Sequence, residues 1–151
     1  MEETGIVKHS VLEHIKAVLT TAGWSDNSKW VRLGHIQPET SPPAVGIDCS
    51  ETHRVTYEVG GTKRAIRAYV DIEIKANDKS QLEDLKDTIE KNLENMRIID
   101  FNIAMPPDPG YDAEAQTIAR GLVGETIRGR VVDKIAFTAR VSFTLMTNKP
   151  I

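Results

Sequence analysis

Residues 63–75 read KRAIRAYVDIEIK. In this stretch Ile66, Ala68, Val70, Ile72 and Ile74 alternate with Arg67, Tyr69, Asp71 and Glu73. Successive side chains of a strand point to opposite faces, so the pattern sets an apolar row against a core and a polar row on the other side. A helix would scatter the same residues around its axis. At ~3.3 Å per residue the run extends roughly 40 Å, against a usual strand of about 5–6 residues. A strand of that length outruns the core of a small domain, and the excess needs a physical reason.

Working outward, residues 54–59 (RVTYEV), Gly60-Gly61 and the stretch above form a hairpin. Gly-Gly supplies the positive φ angles that a tight turn demands. The tip carries Glu58, Gly60, Gly61, Thr62, Lys63 and Arg64, all polar or small, so the distal hairpin is expected to stand outside the core as an arm. Residues 134–146 (KIAFTARVSFTLM) match the opening strand in length and alternation, and the two are expected to pair at the centre of a sheet. Shorter strands are expected at 30–36, 44–49 and 98–103, with the proline-bearing loop QPETSPP at 37–43.

Two amphipathic helices accompany these strands. In residues 6–22, Val7, Val11, Ile15, Val18 and Ala22 form an apolar stripe widened by Leu12 and Leu19, and Gly23 is a natural C-terminal stop. In residues 77–96, Leu82, Leu85, Ile89, Leu93 and Met96 form a stripe, with Ser80 and Glu83 in the spacing of a capping box. Residues 105–112 (MPPDPGYD) cannot be regular structure. Residues 113–122 are read as a helical turn or two with Asp112 as N-cap and Ala115, Ile118, Ala119 and Leu122 inward; residues 123–130 are ambiguous. The expected architecture is α+β: a single two-layer domain over 1–151, with a mostly antiparallel sheet, both helices on one face, and a long protruding hairpin.

Composition bounds the function. Hydrophobic residues make up 40% and charged residues 27% of the 151-residue chain, which excludes a disordered polymer. The net charge of -3 gives no global attraction to nucleic acid or anionic membrane. Cys49 is the single cysteine, so no internal disulfide can form, and no apolar run approaches a membrane span. A protein made and kept in a cytoplasm is expected.

No catalytic constellation emerges. His9 and His14 fall on different helix faces, and Cys49 and His53 lack further partners for a metal site. Cys49, in an inward row with Val45 and Ile47, reads as an inert buried thiol rather than a nucleophile. Asp71 and Glu73 sit on the polar row, solvated or paired with Arg67 or Arg140. The expectation is no enzyme activity, no cofactor and no metal. Gly121-Leu122-Val123-Gly124, with Ile127, Arg128 and Arg130 following, resembles the GXXG loop of KH domains, which clamps single-stranded nucleic acid. A KH-like module built on residues 121–128 is the alternative function.

The order of elements resembles the phage tail terminator (tail-completion) family and its minor tail protein relatives. The resemblance lies in the N-terminal amphipathic helix, the Ser41-Pro42-Pro43-Ala44-Val45 passage from loop to strand, the hairpin over 54–75, the capped helix after it and the final alternating strand. It implies a non-enzymatic structural protein of a virion tail, assembled in a host cytoplasm. Its copies would form a ring, usually a hexamer, between the tail tube and the head–tail connector, with nucleic acid met only as DNA passing through. A closed ring uses one patch against a different patch on the next copy. The overlong hairpin supplies such a patch: Val59, Gly60, Gly61, Thr62, Lys63, Arg64 and Arg67. Met105, Pro106, Pro107 and Tyr111 form a stiff, partly apolar loop suited to docking a partner.

Overall fold

The computed structural model describes residues 3–37, 39–56, 64–93, 96–99, 117–131 and 137–147. The chain runs α1 (Glu3–Thr21), a 3-10 turn (Asn27–Lys29), β1 (Val31–Leu33), β2 (Ala44–Thr56), β3 (Arg64–Lys75), α2 (Lys79–Lys91), β4 (Arg97–Ile99), β5 (Thr117–Val131) and β6 (Thr138–Thr147). The strands form one sheet in the order β1-β2-β3-β6-β5-β4. The β1–β2 pair is parallel; the other neighbours are antiparallel. The architecture is the α+β arrangement that the alternation predicts.

The two long alternating strands pair at the sheet centre, as expected. Their register sets Val70 opposite Phe143, Ile72 opposite Val141 and Ile74 opposite Ala139. All six are buried, together with Val45, Ile47 and Cys49 of β2. Val7, Val11, Ile15 and Leu19 of α1 and Leu82, Leu85 and Ile89 of α2 join the same cluster, so both helices cover one face. α1 touches both terminal strands, β1 and β4, and the Ile99 amide donates to the buried Ser10 hydroxyl at 3.0 Å. The sheet therefore wraps around α1 instead of lying flat beneath it, which follows from the cumulative twist of six strands.

Local chemistry fixes the helix ends. After α1, the Gly23 amide donates to Thr20 O and the Trp24 amide to Leu19 O, both near 3 Å, with Gly23 at φ +103°. This is the Schellman closure that a glycine permits. The buried Asn27 side chain donates to Lys16 O, Thr20 Oγ1 and Trp24 O, which satisfies it and ties the turn to α1. The start of α2 differs from the Ser80–Glu83 reading. Asp78 is the N-cap: its Oδ1 accepts from the Gln81 amide at 2.8 Å, and Gln81 Oε1 accepts from the Asn77 amide at 2.7 Å. Asp78 lies two residues earlier and offers a carboxylate to the helix N-terminus, where negative charge is favourable. α2 also ends at Lys91, so Leu93 and Met96 are buried beyond the helix, not on it.

Two strand readings are corrected. The separate strands at 44–49 and 54–59 are one strand as far as Thr56, with Ser50 as an extra residue between the pairs Cys49↔Val70 and Glu51↔Tyr69. That bulge breaks the alternation that would have revealed a continuous strand. Residues 117–122 are not helical but begin β5. Pairing with both β4 and β6 outweighs the local helix-like spacing, and three glycines in 121–129 weaken a helix there. Residues 113–116 and the Gly60-Gly61 turn lie outside the described residues, as does the expected strand beyond Ile99.

Candidate assembly surface

The hairpin is built by register. β2 and β3 pair continuously from Ala44↔Lys75 to Thr56↔Arg64 apart from the bulge. β6 leaves β3 at the pair Arg67↔Met146. Among the described residues, the pairs Arg54↔Ile66, Val55↔Ala65 and Thr56↔Arg64 thus belong to a ribbon of two strands only. A ribbon of this kind is marginal in water without a third partner. On its other side, β1 accompanies β2 only as far as Ile47, whose carbonyl accepts from the Gly34 amide at 2.8 Å. The bulge at Ser50 follows directly, so the arm begins where the lateral support of β2 stops.

The structure places the candidate residues unequally. Arg67 is half-buried at the last β3–β6 pair, and Arg64 is the first residue of β3. Val59, Gly60, Gly61, Thr62 and Lys63 lie outside the described residues, as do Met105, Pro106, Pro107 and Tyr111. Gly121-Leu122-Val123-Gly124 lies inside β5, with Gly121 opposite Thr147 and Val123 opposite Leu145. A GXXG clamp is a loop with its amides free for phosphate. Here the segment is strand ladder, and the KH-like alternative is withdrawn.

Opposite the helices, the sheet face is polar and organised around Glu73. Its Oε1 accepts from His35 Nδ1 at 2.8 Å and from Arg140 Nη2 at 3.1 Å, and its Oε2 accepts from the Ile36 amide at 3.2 Å. Burial pushes this carboxyl upward, but the His35 and Ile36 hydrogen bonds and the His35 and Arg140 charges more than offset it, leaving its pKa below the ordinary value. In the neighbouring cross-strand row, Asp48 faces Asp71, and Ser142 donates to Asp71 Oδ1. Lys8 and His35 approach Asp48 at 3.9 and 3.6 Å. Tyr69 is exposed on the same face.

The Glu73–Arg140 pair answers to the expected pairing of that row; His35 was missed. A single histidine after a weak, three-residue strand has no spacing to mark it, and its closest partner, Glu73, is 38 residues away. Two glycines beside it were the available signal. Gly34 has φ +95°, and a Cβ on Gly46 would come within 2.5 Å of Gly34 O, 3.1 Å of Ile36 Cγ1 and 3.2 Å of Ile36 N. Chain leaving β1 therefore crosses directly over Gly46. An open cleft of about 380 Å³ lies along this crossing, lined by Lys29, Trp30, Arg32, His35 and Gln37 among others.

Among the described residues no group of three or more His, Cys, Asp or Glu is placed to hold a metal ion. Cys49 is buried, and burial pushes its thiol up to about 12, so it carries no thiolate at neutral pH. His14 Nε2 lies 2.6 Å from Asn92 O and ties α1 to the end of α2. No helix among the described residues is long and apolar enough to cross a membrane.

No protein-family model matches the sequence, and no curated protein matches it. Among solved structures, the chain is similar to one from the virion of the native gene transfer agent (GTA) particle, with 9% identity, full coverage of both chains and a TM-score of 0.59. The likeness is one of fold, and it extends from end to end of both chains.

Proposed function

We propose that this chain is a structural assembly protein of a phage-like particle, without catalytic activity. It acts as a tail-terminator or neck component whose copies, six in number, close into a ring between the tail tube and the head–tail connector. The observation that carries this reading is the end-to-end similarity of fold to a chain of a GTA virion. The β2–β3 arm supports it physically. Among the described residues the last three pairs form a two-stranded ribbon, and burial against another copy would supply a third layer. Each arm meets a different patch on the next copy, the heterologous contact that closes rings. Val59, Gly60, Gly61, Thr62, Lys63, Arg64 and Arg67 form the contact between copies, and Met105, Pro106, Pro107 and Tyr111 dock the neighbouring virion protein.

Size-exclusion chromatography with light scattering tests the arm. Replacing residues 59–64 with a two-residue turn leaves a folded single copy where the intact chain forms a closed oligomer. An oligomer of unchanged mass in the shortened variant refutes the assigned contact.

A further inference from the structure

Residues 34–36 are held on the polar sheet face by an arrangement in which one imidazole serves two carboxylates. His35 is exposed; its Nδ1 lies 2.8 Å from Glu73 Oε1 and its Nε2 3.6 Å from Asp48 Oδ2. Asp48 belongs to β2 and Glu73 to β3, so the ring bridges adjacent strands. A protonated imidazole presents an N–H to each carboxylate. A neutral one has a single N–H, and its remaining lone pair must face the other carboxylate. The next residue contributes its amide to Glu73 Oε2, so the same carboxylate grips both side chain and backbone of this segment.

We propose that residues 34–36 form a proton-sensitive strap: protonated His35 holds it shut across Gly46, and loss of that proton loosens it. The surrounding charges favour the closed, protonated form on balance. Asp48 and Glu73 face His35 directly, and Asp71 of β3 stands opposite Asp48 with Ser142 as its donor. Arg140 of β6 shares Glu73 Oε1, Lys8 of α1 lies 3.9 Å from Asp48, Lys29 and Arg32 line the same cleft, and Lys75 donates to Thr40 O at 2.9 Å. The His35 pKa is raised, first by the hydrogen bond to Glu73 and then by the charges of Glu73 and Asp48. A histidine whose folded pKa is raised gives stability that is full below its unfolded value and lost as pH rises through the folded one. The strap grips β2 and β3 just before the bulge at Ser50, so its closure stiffens the base of the arm. This inference does not depend on the ring.

Amide hydrogen exchange by NMR on the full chain tests it, with protection factors corrected for intrinsic exchange. The range runs from about pH 5.5 to about pH 8.5, on either side of the ordinary histidine pKa of about 6.5. The His35 ring titrates with a midpoint above that value, and Ile36 protection falls roughly two- to fivefold across the titration, the range expected for an exposed ion pair. Val45, whose amide donates to Trp30 O within the β1–β2 ladder, shows no such change. In His35→Gln the Ile36 protection becomes flat with pH, and in Asp48→Asn the His35 midpoint moves down. Protection at Ile36 that ignores the His35 titration, or a midpoint at or below the ordinary value, overturns the proposal.

Discussion

Gly46→Ala is the sharpest mutational probe of the way the polar face is built. The added Cβ would lie 2.5 Å from Gly34 O, about 1 Å inside ordinary contact, and close to Ile36 N and Cγ1 as well. The nearest atom is backbone, so no rotamer change relieves it. The crossing segment is also tethered, by Gly34 N to Ile47 O at 2.8 Å and by Ile36 N to Glu73 Oε2 at 3.2 Å. Moving it stretches both bonds. Forced overpacking costs about 1–3 kcal/mol, and a weakened hydrogen bond to a charged acceptor adds up to about 1.5–3 kcal/mol. The stiffer unfolded chain returns about 0.4–1 kcal/mol. The net expectation is a loss of roughly 2 kcal/mol. Urea unfolding followed by tryptophan fluorescence reads this directly, because Trp24 and Trp30 pack edge to face at 6.0 Å beside the crossing. Gly34→Ala is the companion variant: its Cβ meets nothing within 4 Å, so its cost is only that of holding alanine at φ +95°, roughly 1–2 kcal/mol. A Gly46→Ala midpoint within about 0.5 kcal/mol of the parent would refute the close crossing.

Three further outcomes follow from the same geometry. Asp78→Ala costs about 1 kcal/mol in urea unfolding, whereas Ser80→Ala is near neutral, because Asp78 is the residue that caps α2. Cys49 does not react with a thiol reagent in the native protein at about pH 8, well below its raised pKa, and reacts fully once denaturant is added. Burial holds the His14 pKa below its ordinary value, against the opposing hydrogen bond to Asn92. Its contribution to stability is therefore complete above about pH 6.5 and lost as pH falls below that; unfolding midpoints in His14→Gln, whose amide keeps a donor for Asn92 O, fall less steeply with acid.

The sheet centre was legible because β3 and β6 alternate without interruption and their inward residues from Ala68 to Ile74 and from Ala139 to Leu145 are buried in the cluster that both helices join. Where the ladder is irregular, the sequence pattern fails in step. β2 appears as two strands because Ser50 shifts its register; β5 appears helical at its start, where Ile118 is an extra residue between the pairs Ile98↔Ala119 and Ile99↔Thr117, and ambiguous farther on, where its pairing slips between Val123 and Thr126 and again between Ile127 and Arg130. In both places long-range backbone pairing decides the structure, and no local period records it. Ser80-x-x-Glu83 fits the capping pattern, but Asp78, with Gln81 three residues on, fits the same rule two positions earlier, and chain geometry chooses between them. The Glu73 network could be read only in part. Its place on a polar row and its pairing with Arg140 follow from alternation, but His35 and the Ile36 amide reach it through a crossing set by Gly34 and Gly46, which no local period marks.

Electron microscopy of the purified full-length chain tests the assembly account most directly. Closed rings of several identical copies are expected, with the β2–β3 arm of each copy lying on its neighbour. Isolated single copies at every concentration, with no ring in any class of particles, would contradict it.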